Sequence, residues 1–256
     1  MIAGITGASS GMGRDMAIYL HALGHDVILI ARDEQKLEQL QKQLQSKGTA
    51  KVDVLVADLS IEEECMQVYD RAKQIGNIDI WINNAGFGLF GSFIETDLER
   101  EIEMIHTNVR AVHILTKLVV KDMIKRNQGY ILNVASVAGF LPGPLMATYY
   151  ATKNYVFRLS EAIRRELKKQ KSSVKISVLC PGPVNTNFNQ VANVKFNLKQ
   201  RSSKQVAEYA INHMLHYHFL IMPGIEIKFA RFFSKIVPDF ILEKVCYHMQ
   251  EKKKGL

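Results

Sequence analysis

Apolar residues recur along this chain in two alternating rhythms. Short, mostly apolar runs at Ile2 to Thr6 and Asp26 to Ala31 read as strands buried on both faces of a parallel sheet. Between them Met16, Ala17, Tyr19, Leu20 and Leu23 return at helical spacing. Strand-like and helix-like segments keep alternating to about residue 222. The pattern predicts an α/β fold: a doubly wound, parallel, seven-stranded sheet with helices on both faces. Its seventh strand falls at Phe219 to Met222. A chain of 256 residues suits one such domain. The expected division is residues 1–222 for the Rossmann-type domain, and 223–256 for a helical tail packed on it. In the tail, Phe229, Phe232, Phe233, Ile236 and Val237 recur at near-helical spacing up to Pro238. A second amphipathic piece, Phe240 to Met249, precedes Lys252-Lys253-Lys254.

A glycine-rich turn follows the first strand. Thr6-Gly7-Ala8-Ser9-Ser10-Gly11-Met12-Gly13 joins that strand to the first helix, which is the context of a dinucleotide site. Glycines permit a tight turn and a close backbone approach, and the helix N-terminus offers free N–H groups to a pyrophosphate. Arg32 and Asp33 stand just past the second strand. A carboxylate there favours a free ribose 2′-hydroxyl and an arginine a 2′-phosphate, so Arg32 points to NADP(H). Asp33 either turns toward the ribose or pairs with Arg32.

Farther along, Tyr149 and Lys153 lie one helical turn apart, thirteen or more positions after Ser136. An ammonium beside a phenol favours the phenolate and is expected to lower the Tyr149 pKa toward working pH. Such a phenol acts as proton donor and acceptor, and a nearby Ser136 hydroxyl holds a substrate oxygen. Tyr150, rotated by about 100° on the helix, is expected to pack elsewhere.

Together these motifs resemble the short-chain dehydrogenase/reductase family. The matching set is Thr6-Gly7-x-x-x-Gly11-x-Gly13, Asp58-Leu59, Asn83-Asn84-Ala85-Gly86, Asn108, Ser136, Tyr149-x-x-x-Lys153 and Pro181-Gly182-Pro183-Val184-x-Thr186, in that order. The tail resembles that of the subgroup similar to 11β-hydroxysteroid dehydrogenases and related bacterial oxidoreductases. The resemblance implies hydride transfer between a nicotinamide and a carbonyl or alcohol carbon. It makes Tyr149 the general acid or base, with Lys153 lowering its pKa and binding the nicotinamide ribose. Ser136 bonds the substrate oxygen, and Asn108 holds a water that links Lys153 to solvent. It further implies that Asp58 and Leu59 meet the adenine, and that Asn84, Ala85 and Gly86 line the ribose and pyrophosphate. Pro181, Gly182, Val184 and Thr186 pass the nicotinamide. Ser9, Ser10 and Met12 belong to the phosphate turn, with Ser9 and Ser10 beside Arg32.

Substrate-facing positions are expected at Phe90, Val137, Phe140, Leu145 and Met146. This apolar wall suits a hydrophobic carbonyl or alcohol, or else packs against a neighbouring loop. The tail either caps the substrate pocket, forms a dimer contact or lies on a membrane surface. A homodimer or homotetramer is the expected assembly.

Charge and cysteine content narrow the remaining classes. The net charge of +8 sits in clusters that accompany no nucleic-acid-binding module, so solvated faces and no nucleic-acid partner are expected. Cys65, Cys180 and Cys246 show no disulfide or metal spacing. His213, His216 and His218 read as a solvated cluster near a helix end, with no metal. No apolar run reaches the ~18 residues of a membrane span. The first strand begins at Met1 or Ile2 with no signal-peptide pattern before it, and a cytoplasmic location is expected. The competing reading is a non-enzymatic NADP(H)-binding redox sensor on the same fold. Such proteins usually lack the tyrosine or lysine, and both are present here.

Overall fold

The computed structural model describes residues 1–186, Phe188, Ala192 and residues 200–251. Seven strands make one sheet: β1 (Ile2–Thr6), β2 (Asp26–Ala31), β3 (Val52–Val56), β4 (Ile78–Asn83), β5 (Tyr130–Val134), β6 (Lys175–Leu179) and β9 (Leu220–Ile221). Their order is β3-β2-β1-β4-β5-β6-β9, and every neighbouring pair is parallel. Two short strands, β7 (Val184–Asn185) and β8 (Arg201–Ser202), pair separately. The sheet is the doubly wound Rossmann type that the alternating pattern predicts. Strand β9 is shorter than Phe219 to Met222, because it is an edge strand paired only to β6 and the chain turns at Pro223-Gly224.

Strand β2 shows why its run is apolar without interruption. Val27, Leu29 and Ala31 point to one helical layer, and Ile28 and Ile30 to the other. The first layer holds α1 (Gly11–Ala22), α2 (Glu34–Gln45) and α7 (Ser203–Leu215). The second holds α3 (Glu62–Ile75), α5 (Val112–Arg126) and α6 (Ala147–Lys169). Between β4 and α5 lie α4 (Leu98–Ile105) and a π-helical turn, His106–Ala111. After β9 come α8 (Ile225–Phe233) and α9 (Asp239–Glu251).

Connections run to one side of β1 through β2 and β3, and to the other side from β4 onward. This reversal opens a crevice above the C-terminal ends of β1 and β4. Under it, a buried polar chain ties strands to helices. Asn83 donates to Asn133 (2.8 Å) and Thr116 (3.0 Å), and Asn133 donates to Ser160 (3.0 Å). Trp81 Nε1 donates to Asn83 Oδ1 at 2.8 Å. The Trp81 ring is fully buried and lies across Gly4, its register partner on β1. A Cβ on Gly4 would stand 2.6 Å from the ring carbons.

That contact yields a stability test. Gly4→Ala is expected to destabilise the protein by about 1–3 kcal/mol through overpacking. The drop should appear as a lower urea midpoint with an unchanged m-value. An unshifted midpoint would mean that the indole has room to move.

Candidate active site

The crevice begins with the turn after β1. Gly7 (φ +67) and Gly11 (φ +53) hold left-handed backbone that disfavours a side chain. Gly13 lies beneath the turn, where a Cβ would run into the Gly7 carbonyl and the Asn84 amide. The Thr6 hydroxyl accepts the backbone N–H groups of Asn84 (2.9 Å) and Ala85 (3.0 Å), and Asn84 Nδ2 donates to the Thr6 carbonyl at 3.0 Å. Ser10, the residue before α1, makes no side-chain cap, and no acid occupies the first turn. The N-terminal amides of α1 therefore keep their capacity for an anion.

A groove of about 420 Å³ runs over this turn. Its walls include Gly7, Ser9, Ser10, Gly11, Met12, Arg32, Asp58, Leu59, Asn84, Ala85, Gly86 and Thr186. At its far end Arg32 bridges Glu103 (3.1 Å) and Asp58 (3.6 Å). Asp33 lines the groove beside Arg32, and its ion pair is with Lys36 rather than Arg32. It caps α2 by accepting the Lys36 N–H at 3.1 Å, and it pairs with the Lys36 ammonium at 2.5 Å. Those bonds from Lys36 hold its carboxyl below the usual range. Burial pushes the Asp58 carboxyl up, but two bonds from Ser60 and the Arg32 charge outweigh it and leave the group lowered. Arg100 and Lys36 also reach this groove, the former stacked over Phe87 at 4.2 Å.

A second cavity of about 340 Å³ adjoins the first and shares Met12, Asn84, Gly86, Thr186 and Phe188 with it. Ser136, Tyr149 and Lys153 stand together on its wall, with Pro181, Gly182 and Val184 opposite the turn. Ser136 lies two residues past β5 and starts a short 3-10 helix, Val137–Phe140. Its hydroxyl bonds the Tyr149 phenol and accepts the Ala138 N–H at 3.2 Å. Lys153 donates to the Val134 carbonyl at 3.0 Å and sits 5.8 Å from the Tyr149 ring centre.

The expected lowering of the Tyr149 pKa is not what this geometry produces. Burial pushes the phenol up to about 12, against the opposing bond from Ser136. Burial also pushes the Lys153 ammonium down to about 8. Both charged forms lose solvation, and the ammonium bonds a backbone carbonyl rather than the phenol.

Asn108 stands in neither wall. Its Oδ1 accepts the Phe87 N–H (3.1 Å), and its Nδ2 donates to the Phe87 carbonyl (2.8 Å) and to Thr152 Oγ1 (3.1 Å). Thr152 in turn donates to the Tyr149 carbonyl at 2.7 Å. The side chain braces the Gly86-Phe87 segment against α6, with both amide protons engaged and one Oδ1 lone pair left open. It lies inside the π turn, a feature found often at functional sites.

The apolar wall differs in detail from the expected one. Val137 and Met146 line the cavity, with Leu141. Phe140 instead packs edge-on against Phe157 at 5.9 Å, under Arg231. Leu145, at φ +62, gives its carbonyl to the Gly91 N–H, and Phe90 packs with Phe87 and Met104 to one side. Tyr150 does not pack elsewhere. It lines the same cavity, edge-on to Tyr149 at 6.0 Å, because a concave wall takes both phenols. Its ring fills the space a Gly143 side chain would need.

Of the three readings of the tail, a cap on the substrate pocket is the one this cavity bears on, although the sequence did not say which tail residues reach it. Ile227 and Ala230 from α8 and Met249 from α9 line it, and Gln250 Nε2 donates to the Tyr150 hydroxyl. A buried Ile227 in an otherwise exposed helix is the signal, visible only once the helix is docked. The histidines are bonded locally: His213 Nδ1 to the Tyr209 carbonyl (2.8 Å), and His216 Nδ1 to the Asn212 carbonyl (2.7 Å). Lys252-Lys253-Lys254 lies outside the described residues.

Comparison with known proteins agrees with this geometry. A family model described as short chain dehydrogenase matches residues 1–196. An uncharacterized oxidoreductase from Staphylococcus saprophyticus is 31% identical over 211 residues, covering 82% of this chain and 89% of its own. Among solved structures, a short-chain dehydrogenase from Sphingobium yanoikuyae in complex with NADPH superposes with a TM-score of 0.84 at 28% identity, covering 92% of both chains. A short-chain dehydrogenase/reductase from Burkholderia phymatum in complex with NAD gives 0.82 at 26% identity, covering 90% of this chain and 91% of its own. With a glycine-cradled groove opening onto a buried Ser-Tyr-Lys group, and with these relatives, this chain belongs to the short-chain dehydrogenase family of oxidoreductases.

Proposed function

We propose that the protein is an NADP(H)-dependent oxidoreductase that interconverts a carbonyl and a secondary alcohol on a hydrophobic substrate. The observation that carries this reading is the shared wall between the two cavities, with Ser136, Tyr149 and Lys153 lining the second of them. The donor set fits a dinucleotide: Gly7, Gly11 and Gly86 permit the close approaches to Asn84, Thr186 and Asn108 that shape the groove, and the first turn of α1 carries no side-chain cap. A bound nicotinamide supplies or accepts the hydride.

The chain's own residues supply position and proton. In reduction, Ser136 donates a hydrogen bond to the carbonyl oxygen and steadies the negative charge that grows there. Tyr149 then gives its phenolic proton to that oxygen, completing the alcohol. A phenol raised to about 12 stays protonated at neutral pH, so the donor is loaded before the substrate reacts. In oxidation the Tyr149 phenolate oxygen takes the alcohol's hydroxyl proton back. Lys153, cationic below about pH 8, would stabilise the phenolate left behind and would hold the ribose hydroxyls of a bound nicotinamide nucleotide. Asn108 is a positioning residue that acts through Phe87 and Thr152.

Arg32 supports NADP(H) over NAD(H). It is a guanidinium at the adenosine end of the groove, more than half exposed and reachable by a 2′-phosphate. Lys36 adds a second cation beside it. The apolar lining from Val137, Leu141, Met146, Ile227 and Met249 supports a hydrophobic substrate.

Tyr149→Phe is expected to cut kcat by about 10²–10⁴-fold, the usual range for removing a general acid, while NADPH still binds by fluorescence titration. Turnover at the wild-type rate would sink the assigned proton donor. Arg32→Ala is expected to weaken NADPH binding by about tenfold or more, as for a lost charge-assisted bond, with NADH binding little changed. Equal loss for both cofactors would remove the basis for NADP(H). The lowered Lys153 pKa sets the sign of a pH effect. The cation is present below about pH 8 and lost above it, so kcat/KM for the cofactor should fall as pH rises through that value. A profile flat to pH 10 would contradict a buried, weakened ammonium.

A further inference from the structure

Helix α8 has two unlike faces. Ile227 is buried and lines the substrate cavity, and Ala230 lies beside it. On the opposite side Ile225, Phe229, Phe232, Phe233 and Ile236 are each more than half exposed. Their spacing gathers them into one stripe on the helix and its extension. Five such residues side by side form the kind of patch that marks an interaction surface rather than ordinary exposed carbon.

Charge decides what covers it. Lys228 and Lys235 are seven residues apart and lie on one flank of the stripe, roughly a quarter-turn from its middle. The one acid of α8, Glu226, is already paired with Arg201 at 2.8 Å. Helix α9 continues the theme: exposed Ile241, Val245 and Met249 stand four apart, with Asp239 and Glu243 on the other side. Met249 also lines the cavity, so this second stripe reaches the substrate mouth. Over residues 223–256 seven Lys/Arg stand against four Asp/Glu. An antiparallel two-fold contact with a second copy would set Lys228 and Lys235 against the same lysines and leave their charge unanswered. An anionic lipid surface answers both the aromatic stripe and the lysines. Neither helix spans a bilayer. They have 9 and 13 residues, and among the described residues no helix is long and apolar enough to cross. Helices of this kind lie in the headgroup plane.

We infer that α8 and α9 dock the protein on anionic lipid surfaces, with the Phe229–Ile236 stripe inserted and Lys228 and Lys235 against the headgroups. The docking holds the cavity mouth at the lipid boundary. It is a property of the tail surface and is read without any turnover, so its failure leaves the proposed reaction standing.

The test is co-sedimentation of the full chain with vesicles of phosphatidylcholine, alone or mixed with phosphatidylglycerol. The wild type is expected to pellet with the mixed vesicles, less with phosphatidylcholine alone, and less again as salt is added. Phe229→Ser combined with Phe232→Ser and Ile236→Ser is expected to lower partitioning by about tenfold or more. Lys228→Gln with Lys235→Gln, which leaves the apolar stripe intact, should lower it by about tenfold at low salt. Wild-type protein that stays in the supernatant with phosphatidylglycerol vesicles would overturn the inference. So would equal binding by wild type and both variants. A dimer that the triple serine variant breaks, with no vesicle binding, would assign the face to a second copy instead.

Discussion

The site depends on how β1 and β4 part company at their C-terminal ends. Neighbouring parallel strands satisfy each other's backbone groups only while they run together. Where they separate, the Asn84 and Ala85 amides would lose their partners, and the Thr6 hydroxyl takes both. Asn84 returns the bond to the Thr6 carbonyl, which holds the two strand ends against each other. Only then does the chain after β1 have a fixed place to turn. Gly13 can pass close under that turn because it has no side chain to meet the Gly7 carbonyl. The groove floor is thus a by-product of closing the sheet's own hydrogen bonds, and the helix N-terminus is aimed across it.

Behind the reacting groups, burial outweighs charge. Tyr149 and Lys153 share a helix face, and a phenol beside an ammonium in water would be acidified. Here both are buried, and each is pushed toward its neutral form. The outcome is a loaded proton donor next to a cation that is easily discharged. Among the described residues Ser136 is the group that bonds the phenol, and it also faces the cavity. In the proposed reaction the hydroxyl would therefore serve both the ionisation of Tyr149 and the recognition of an oxygen. The buried chain of Asn83, Asn133, Thr116 and Ser160 carries that rigidity down into the helical layer.

What the sequence made legible was the part governed by local rules. Strand runs, the glycine turn and the Tyr149-Lys153 spacing are short-range patterns, and β1, β2 and α1 fall where those patterns put them. Contacts set by distant side chains were not legible. Arg32 reaches Glu103 across 71 residues of sequence, while Asp33 caps its own helix at the groove's edge. Phe140 and Leu145 looked like pocket residues by composition alone. A 3-10 turn and a left-handed residue aim them elsewhere. Gly4 gave no turn signal at all, since its reason is the ring of Trp81 on the next strand. Asn108 was found by its place in a motif, but its bonding follows from a π turn that no periodicity announces.

The tail carries the same lesson one step further. A nine-residue helix cannot be stable by its own propensity and must be held by what it packs against. For α8 that support is narrow: Ile227 against Gly182, where a Cβ would come within 3.1 Å, and Arg231 over the rings of Phe140 and Phe157. Both contacts belong to segments that also shape the active site. Phe140 ends the 3-10 helix that Ser136 begins, and Gly182 stands in the cavity wall. Together with the Glu226–Arg201 pair, these contacts fasten one side of the helix and leave its phenylalanines exposed on the other. The cover of the substrate cavity and the outward apolar face are consequently two sides of one short element. Any force that seats the outer side also presses Ile227 and Ala230 onto the cavity.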